Sequence, residues 1–206
     1  MNSSNASAFL FDIGKVLLDF DFESSLEKLL PPGVEDSAQR LAKILEPKDS
    51  FERGDIPLDD YVEMSLSILG PSVTRESFFN HWRNIFTPNM PMWKAVEKLH
   101  KAGHRLFLFS NTNAIHTPWI LENFDIFRYF EAGTYSFEVG RMKPEPEIYH
   151  AAITNHRLDP AHTLYIDDLP ANIATGKEMG LRCHQYDLED HAAFEHWLEQ
   201  EMSYSV

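Results

Sequence analysis

Several residues able to do chemistry stand in equivalent places along the chain, each at or just after the end of a short apolar run. Asp12, Gly14 and Lys15 follow the run 8–11, Ser110, Asn111 and Thr112 close and follow 104–110, and Asp167 and Asp168 close and follow 163–167. Lys143 opens the rigid string Lys143-Pro144-Glu145-Pro146-Glu147. Carboxylates of this kind serve as nucleophiles, proton carriers or oxygen ligands to hard cations, and hydroxyl, amide and ammonium groups grip anionic oxygens. Taken singly, each also has a plain structural reading. Asp12 can begin a turn, Ser110 to Asn113 can cap the next helix, and Asp167-Asp168 can cap a helix with Pro170 at its first position. Lys143 can be a solvated lysine at a helix entry.

The elements that must hold these residues are legible from periodicity. Apolar runs at 8–11, 104–110, 132–137, 163–167 and 181–186 read as buried strands, and 92–102, 145–156 and 170–179 as helices between them. Gly103 and Gly180 are the stop signals of two of those helices. Strand alternating with helix is the pattern of right-handed crossovers on a parallel sheet. In such a sheet ligands bind beyond the carboxyl ends of the strands, near the switch in strand order, where these polar residues fall. Residues 19–86 break the alternation: 22–30, 37–45, 58–69 and 76–85 read as consecutive amphipathic helices with no strand between them. The expected organisation is therefore an α/β core, 1–18 and 87–206, with a small helical insertion, 19–86, after the first strand.

The 206 residues carry 18 Lys+Arg against 32 Asp+Glu, a formal charge of −14. That balance argues against nucleic acid or an anionic membrane as the main partner, because a basic patch is the usual footprint of either. It does not exclude a small anionic substrate, since a site is local. One cysteine, Cys183, leaves no internal disulfide framework. The N-terminal residues contain neither a basic region nor an apolar stretch of signal-peptide length, and no apolar run approaches the ~20 residues that span a bilayer. A cytoplasmic protein, monomeric or homodimeric, is expected.

Four segments in order, Phe11-Asp12-Ile13-Gly14-Lys15, Leu108-Phe109-Ser110-Asn111-Thr112-Asn113, Met142-Lys143-Pro144-Glu145-Pro146 and Tyr165-Ile166-Asp167-Asp168-Leu169-Pro170, resemble the four motifs of the haloacid dehalogenase superfamily. The match spans nearly the whole chain. Within the superfamily the sequence looks most like the phosphatase branch containing bacterial α-glucose-1-phosphatase and the phosphatase domain of soluble epoxide hydrolase, to which Ser110 through His116 and Phe51-Glu52-Arg53-Gly54-Asp55-Ile56 add support. The resemblance implies a Rossmann-like core with a helical cap, Asp12 as the nucleophile forming an aspartyl-phosphate, and Mg²⁺ held by Asp12, the Gly14 carbonyl and Asp168 with Asp167 beside them. It further implies that Ser110, the Asn111 backbone and Lys143 grip the phosphoryl group of a small phosphorylated metabolite, and that the stretch 51–61 of the cap reaches the site.

One position departs from the pattern. Most phosphatases of the superfamily carry a second Asp two residues after the nucleophile, as general acid and base, and here that residue is Gly14. Losing such help typically costs ~10²–10⁴-fold. Three consequences stay open: restriction to good leaving groups such as sugar 1-phosphates or acyl phosphates, a substitute proton donor among His116, Asp19 and Asp21, or loss of catalysis with binding retained. A 2-haloacid dehalogenase needs neither the second Asp nor magnesium, so Asp167-Asp168 speaks against it. His116 reads equally as a packed helix residue or a substrate contact, and Arg53 as a substrate contact or as a partner of Glu52 or Asp55.

Overall fold

The computed structural model describes residues 7–30 and 34–203. The first six and last three residues, assigned to the core by the sequence, lie outside the described residues. A five-stranded sheet runs in the order β5-β4-β1-β6-β7, all pairs parallel, from β1 (Ala8–Phe11), β4 (Arg105–Ser110), β5 (Ala132–Tyr135), β6 (Thr163–Asp167) and β7 (Arg182–Gln185). The remaining strands, β2 (Leu18–Phe20) and β3 (Phe86–Pro88), form a separate antiparallel ribbon. β1 and β6 are buried at every residue, as expected of strands covered on both faces, which is why they read as unbroken apolar runs rather than alternations.

Helices α6 (Met90–Lys101), α7 (His116–Asn123), α9 (Pro146–Asn155), α10 (Pro170–Glu178) and α11 (His191–Ser203), with the single turn α8 (Ser136–Val139), connect and cover the sheet. Two apolar clusters form on it, one containing Phe9, Phe11, Val96, Leu106 and Phe194, the other Leu10, Phe107, Phe109, Ile148 and Tyr149. Alternate residues of β1 and β4 serve opposite clusters, following the two-residue period of a strand. No helix among the described residues is long and apolar enough to cross a membrane.

The insertion carries its own core. Helices α1 (Phe22–Glu27), α2 (Ser37–Leu45), α3 (Lys48–Arg53), α4 (Leu58–Leu69) and α5 (Arg75–Arg83) bury Ile44, Phe51, Tyr61, Phe78 and Trp82 together, with Ile115 joining them from the α/β side. Phe51 and Tyr61 stack with ring centroids 4.0 Å apart, and the Tyr61 hydroxyl donates to the Ile44 carbonyl at 2.9 Å.

Four local expectations differ from the structure. The ribbon pairs Leu18 with Pro88 and Phe20 with Phe86, so the insertion is framed by strands that the apolar pattern left unread. α3 occupies a stretch with no helix assigned. The helix expected over 22–30 stops at Glu27, and the strand expected over 132–137 ends at Tyr135, where Ser136 begins α8.

Candidate active site

β1, β4 and β6 lie side by side at the centre of the sheet, and their carboxyl ends deliver Asp12, Ser110 and Asp167 to one place. Asp12, Asp167 and Asp168 each offer a carboxylate oxygen within 4.8 Å of the others. Lys143 enters from the loop before α9 and is almost wholly buried. Its Nζ lies 3.1 Å from Asp12 Oδ1 and 2.5 Å from Asp167 Oδ2, and donates to the Phe109 carbonyl at 2.8 Å. Burial opposes a charge on Lys143, but the facing Asp12 and Asp167 outweigh it and hold the ammonium above the ordinary lysine range.

Asn111 fixes Lys143 in that position. Its Nδ2 donates to the Lys143 carbonyl and its Oδ1 accepts from the Lys143 amide, both at 2.8 Å. The string after β4 therefore divides its work. Ser110 hydrogen-bonds Asp12, Asn111 clamps the lysine loop, and Asn113 Oδ1 accepts from the amides of Ile115 and His116 at 3.0 Å, starting α7.

Asp167 and Asp168 are adjacent yet differently placed. Asp167 is fully buried and accepts from Lys143 and Tyr165 on Oδ2 and from the Leu169 amide and Asn172 Nδ2 on Oδ1. It is a saturated acceptor that orients Lys143 and shapes the turn into α10. Asp168 is half-buried, and burial together with the Asp167 charge raises its carboxyl above the usual range. Burial pushes Asp12 up to about 7 despite Lys143, with Asp167 and Asp168 adding repulsion. Three crowded carboxylates against one ammonium make a hard-oxygen donor set short of positive charge, which fits a divalent cation such as Mg²⁺. The Asp167 oxygens are already occupied by four donors, so Asp12 and Asp168 are the carboxylates of the three that could hold such an ion.

A cavity of about 340 Å³ opens from this floor. Asp12, Gly14, Ser110, Asn111, Lys143, Asp168 and His116 line it from the core, and Phe20, Phe22, Ile85 and Phe86 supply an apolar side. The insertion contributes Lys48, Asp49 and Glu52 from α3. Of the expected stretch 51–61 only Glu52 lines the cavity, and Lys48 and Asp49 join it from the earlier part of α3, while Tyr61 is committed to the insertion's own core. Glu52 is buried, which raises its carboxyl, with the Lys48 ammonium 3.0 Å away opposing the rise. Lys48, Asp49 and the aromatic side were missed as site residues; no motif marks them, and only the approach of α3 and the ribbon to the sheet brings them in.

Arg53 does not line the cavity. Its guanidinium pairs with Glu145 at 2.5 Å and Asp55 at 3.7 Å, joining the insertion to the core. His116 lines it but has both ring nitrogens engaged: Nε2 donates to the Trp82 carbonyl at 2.9 Å, and Nδ1 accepts from Asn113 Nδ2 at 3.1 Å. Burial lowers its pKa to about 4, so the ring is neutral. Asp19 is held ionised by its hydrogen bond with Lys15, and Asp21 by Ser24, whose amide it accepts at 3.0 Å; neither lines the cavity.

The chain matches known proteins over most of its length. It is 27% identical over 185 residues to D-ribitol-5-phosphate phosphatase of Bacteroides thetaiotaomicron, covering 85% of this chain and 89% of that protein. The bifunctional epoxide hydrolase 2 of Rattus norvegicus is 24% identical over 103 residues, 45% of this chain and 18% of that protein. A haloacid dehalogenase family enzyme of Bacteroides thetaiotaomicron, solved in complex with magnesium and inorganic phosphate, superposes with a TM-score of 0.75 at 25% identity, covering 89% of this chain and 95% of that one. A profile of haloacid dehalogenase-like hydrolases matches residues 6–180. With the sheet order, the converging carboxylates and that match in agreement, the chain belongs to the haloacid dehalogenase-like hydrolase family.

Proposed function

We propose that the protein is a Mg²⁺-dependent phosphatase of a small phosphorylated metabolite. The observation that carries the reading is the Asp12 carboxylate 3.1 Å from the buried Lys143 ammonium, with Ser110 and Asp168 beside it at the floor of the cavity. A similar chain of this family holds magnesium and inorganic phosphate, and a relative dephosphorylates D-ribitol 5-phosphate, which supports the same chemistry here.

Asp12 attacks phosphorus, a P–O bond forms to its carboxylate as the ester P–O bond breaks, and the alkoxide leaves with a proton. Water then attacks the aspartyl-phosphate, releasing inorganic phosphate and restoring Asp12. Lys143 and Ser110 face the phosphoryl oxygens, where negative charge builds. Asp167 keeps Lys143 charged and aimed. Mg²⁺ bound at Asp12 and Asp168 would offset the like charges of nucleophile and phosphate. The insertion 19–86 acts as a cap that covers the reacting group.

The proton is the weak point of the cycle. Gly14 has no side chain to supply it, His116 is neutral with both nitrogens occupied, and Asp19 and Asp21 are held ionised outside the cavity. Substrates whose leaving group needs little protonation are therefore favoured, such as sugar 1-phosphates and acyl phosphates. The test is release of phosphate from p-nitrophenyl phosphate, acetyl phosphate, glucose 1-phosphate, glucose 6-phosphate and ribitol 5-phosphate, with and without Mg²⁺. Mg²⁺-dependent turnover lost in Asp12→Asn supports the reading. A wild-type protein that binds these phosphates without hydrolysing any of them is a binding protein instead.

A further inference from the structure

The chain between β1 and β2 turns at the cavity, with Ile13, Gly14 and Lys15 in its lining. Part of this loop is closed on itself. The Ile13 carbonyl accepts from the Leu17 and Leu18 amides at 2.9 Å, and the Leu18 carbonyl accepts from the Lys15 amide at 2.7 Å. The carbonyls of Val16 and Leu17 are held from outside the loop. Asn89 Nδ2 donates to Val16 at 2.7 Å, while the Asn89 amide and Trp93 Nε1 donate to Leu17 at 3.1 and 2.8 Å.

Asn89 stands just before α6, where an asparagine side chain ordinarily accepts from an amide of the helix's own first turn. Here it makes no such bond. It is buried, and its Nδ2 serves Val16 and the Tyr186 hydroxyl, the latter at 2.9 Å. A capping bond forgone and a polar side chain buried are two costs that α6 by itself does not explain.

Tyr186 extends this grip to the carboxylates. Its hydroxyl accepts from Asn89 and donates to His191 Nδ1 on α11 at 3.0 Å, and its amide donates to the Asp167 carbonyl at 2.9 Å. The preceding residue, Gln185, reaches the Asp168 carbonyl with Nε2 at 3.2 Å. The backbone bearing Asp167 and Asp168 is thus tied, through Tyr186 and Asn89, to the loop bearing Gly14. Neither Tyr186 nor Asn89 lines the cavity.

We propose that Asn89 and Tyr186 are positioning residues for the divalent cation, holding the Gly14 loop and the Asp167-Asp168 turn at the spacing the ion requires. The proposal rests on the Mg²⁺ site of the phosphatase reading. Mg²⁺ demands near-ideal placement of its oxygen ligands, so a shift between the two segments weakens its binding. A loop released at Val16 keeps its bonds at Ile13 and Leu18 but loses its place against the turn. Asp12 is held separately, its amide donating to the Ile166 carbonyl at 2.9 Å. Affinity for the ion should therefore suffer more than the chemistry at Asp12.

The test measures the Mg²⁺ Kd, from metal-induced shifts in unfolding, and the Mg²⁺ dependence of p-nitrophenyl phosphate hydrolysis. The proteins compared are the wild type, Asn89→Ala, Tyr186→Phe and a control, Ser65→Ala. Ser65 is fully buried in the insertion, where it donates to the Tyr61 carbonyl at 2.7 Å. Asn89→Ala should weaken Mg²⁺ by about ten- to a hundredfold, the range for losing groups that hold a metal's ligands in place, and Tyr186→Phe by about three- to tenfold. In both, kcat at saturating Mg²⁺ should stay within about threefold of the wild type, because the lost affinity is restored by mass action. Ser65→Ala should lower stability and leave the Kd unchanged. A Kd within about twofold of the wild type in both Asn89→Ala and Tyr186→Phe overturns the proposal, since their loss is then of stability alone. If Asn89→Ala does not fold, Tyr186→Phe decides by itself. A wild type that binds Mg²⁺ but hydrolyses no phosphomonoester overturns the phosphatase reading and leaves the Kd comparison to decide this proposal. A wild type that binds no Mg²⁺ overturns both.

Discussion

The Phe20 ring edge crowds the space beside residue 14: a Cβ on Gly14 would lie 3.0 Å from Phe20 Cε1 and 3.6 Å from Cδ1, so a side chain there has to push the ring aside by a few tenths of an ångström. Phe20 belongs to β2, whose pairing with β3 frames the insertion, and its ring also lies under the Lys15 ammonium at 4.7 Å. The missing acid at position 14 and the aromatic side of the cavity are thus one arrangement.

Gly14→Asp alone should fail to improve turnover of poor leaving groups, because the new carboxyl meets the ring. Gly14→Asp combined with Phe20→Ala opens that space. The double variant should raise kcat on glucose 6-phosphate relative to p-nitrophenyl phosphate by at least about tenfold, a fraction of the ~10²–10⁴ that acid–base help supplies. A double variant no better than the single one would remove steric exclusion as the reason.

Removing Lys143 leaves Asp12 and Asp167 facing each other, buried and without their shared cation. Lys143→Met should cost about 3–5 kcal/mol at pH 8, the usual penalty for stranding buried charge, and abolish turnover. Adding Asp12→Asn to it should restore part of the loss, since one of the two stranded charges is gone. Denaturant unfolding of the four proteins in the cycle measures this coupling. Strict additivity would mean that Lys143 acts through packing alone.

What was readable in the sequence follows from length and locality. β1 and β6 are unbroken apolar runs ending in Asp12 and Asp167, so both strand and site residue announce themselves within a few positions. The three-residue strands of the ribbon and the six-residue α3 are too short for periodicity to register. The grip of Asn111 on Lys143 joins residues 32 apart and exists only once β4 and the α9 loop have met. His116 could be placed near the site, but its two hydrogen bonds come from Asn113 on its own loop and from Trp82 in the insertion, and only the assembled structure brings the latter.

His116 ties stability to pH. Its pKa is about 4 when folded against an ordinary 6.5, so between those values the unfolded chain binds the extra proton. Stability from this residue is complete above pH 6.5 and is lost as the pH falls toward 4, by roughly 3 kcal/mol in all. His116→Gln does not titrate. The difference in unfolding free energy between wild type and variant should therefore rise from pH 4 to 6.5 and level off beyond. A difference that is flat with pH would mean that burial does not lower the ring's pKa on folding, and one that falls as pH rises would mean that the ring is protonated in the folded protein.

Asp167 and Asp168 should separate cleanly when metal is the variable. Without a divalent ion, the Asp12, Asp167 and Asp168 carboxylates crowd around a single ammonium, Lys143, so Mg²⁺ relieves repulsion wherever it binds. Saturating Mg²⁺, at about a hundred times its Kd, should stabilise the wild type by about 2.7 kcal/mol, and Asp168→Asn should abolish that gain while changing metal-free stability little. Asp167→Asn should do the reverse in the metal-free protein, unfolding it by about 3–5 kcal/mol, because an amide cannot replace an acceptor that serves Lys143, Tyr165, Leu169 and Asn172 together. Thermal unfolding of the three proteins in EDTA and in MgCl₂ measures both effects. A Mg²⁺ gain that survives in Asp168→Asn would move the ion away from Asp168.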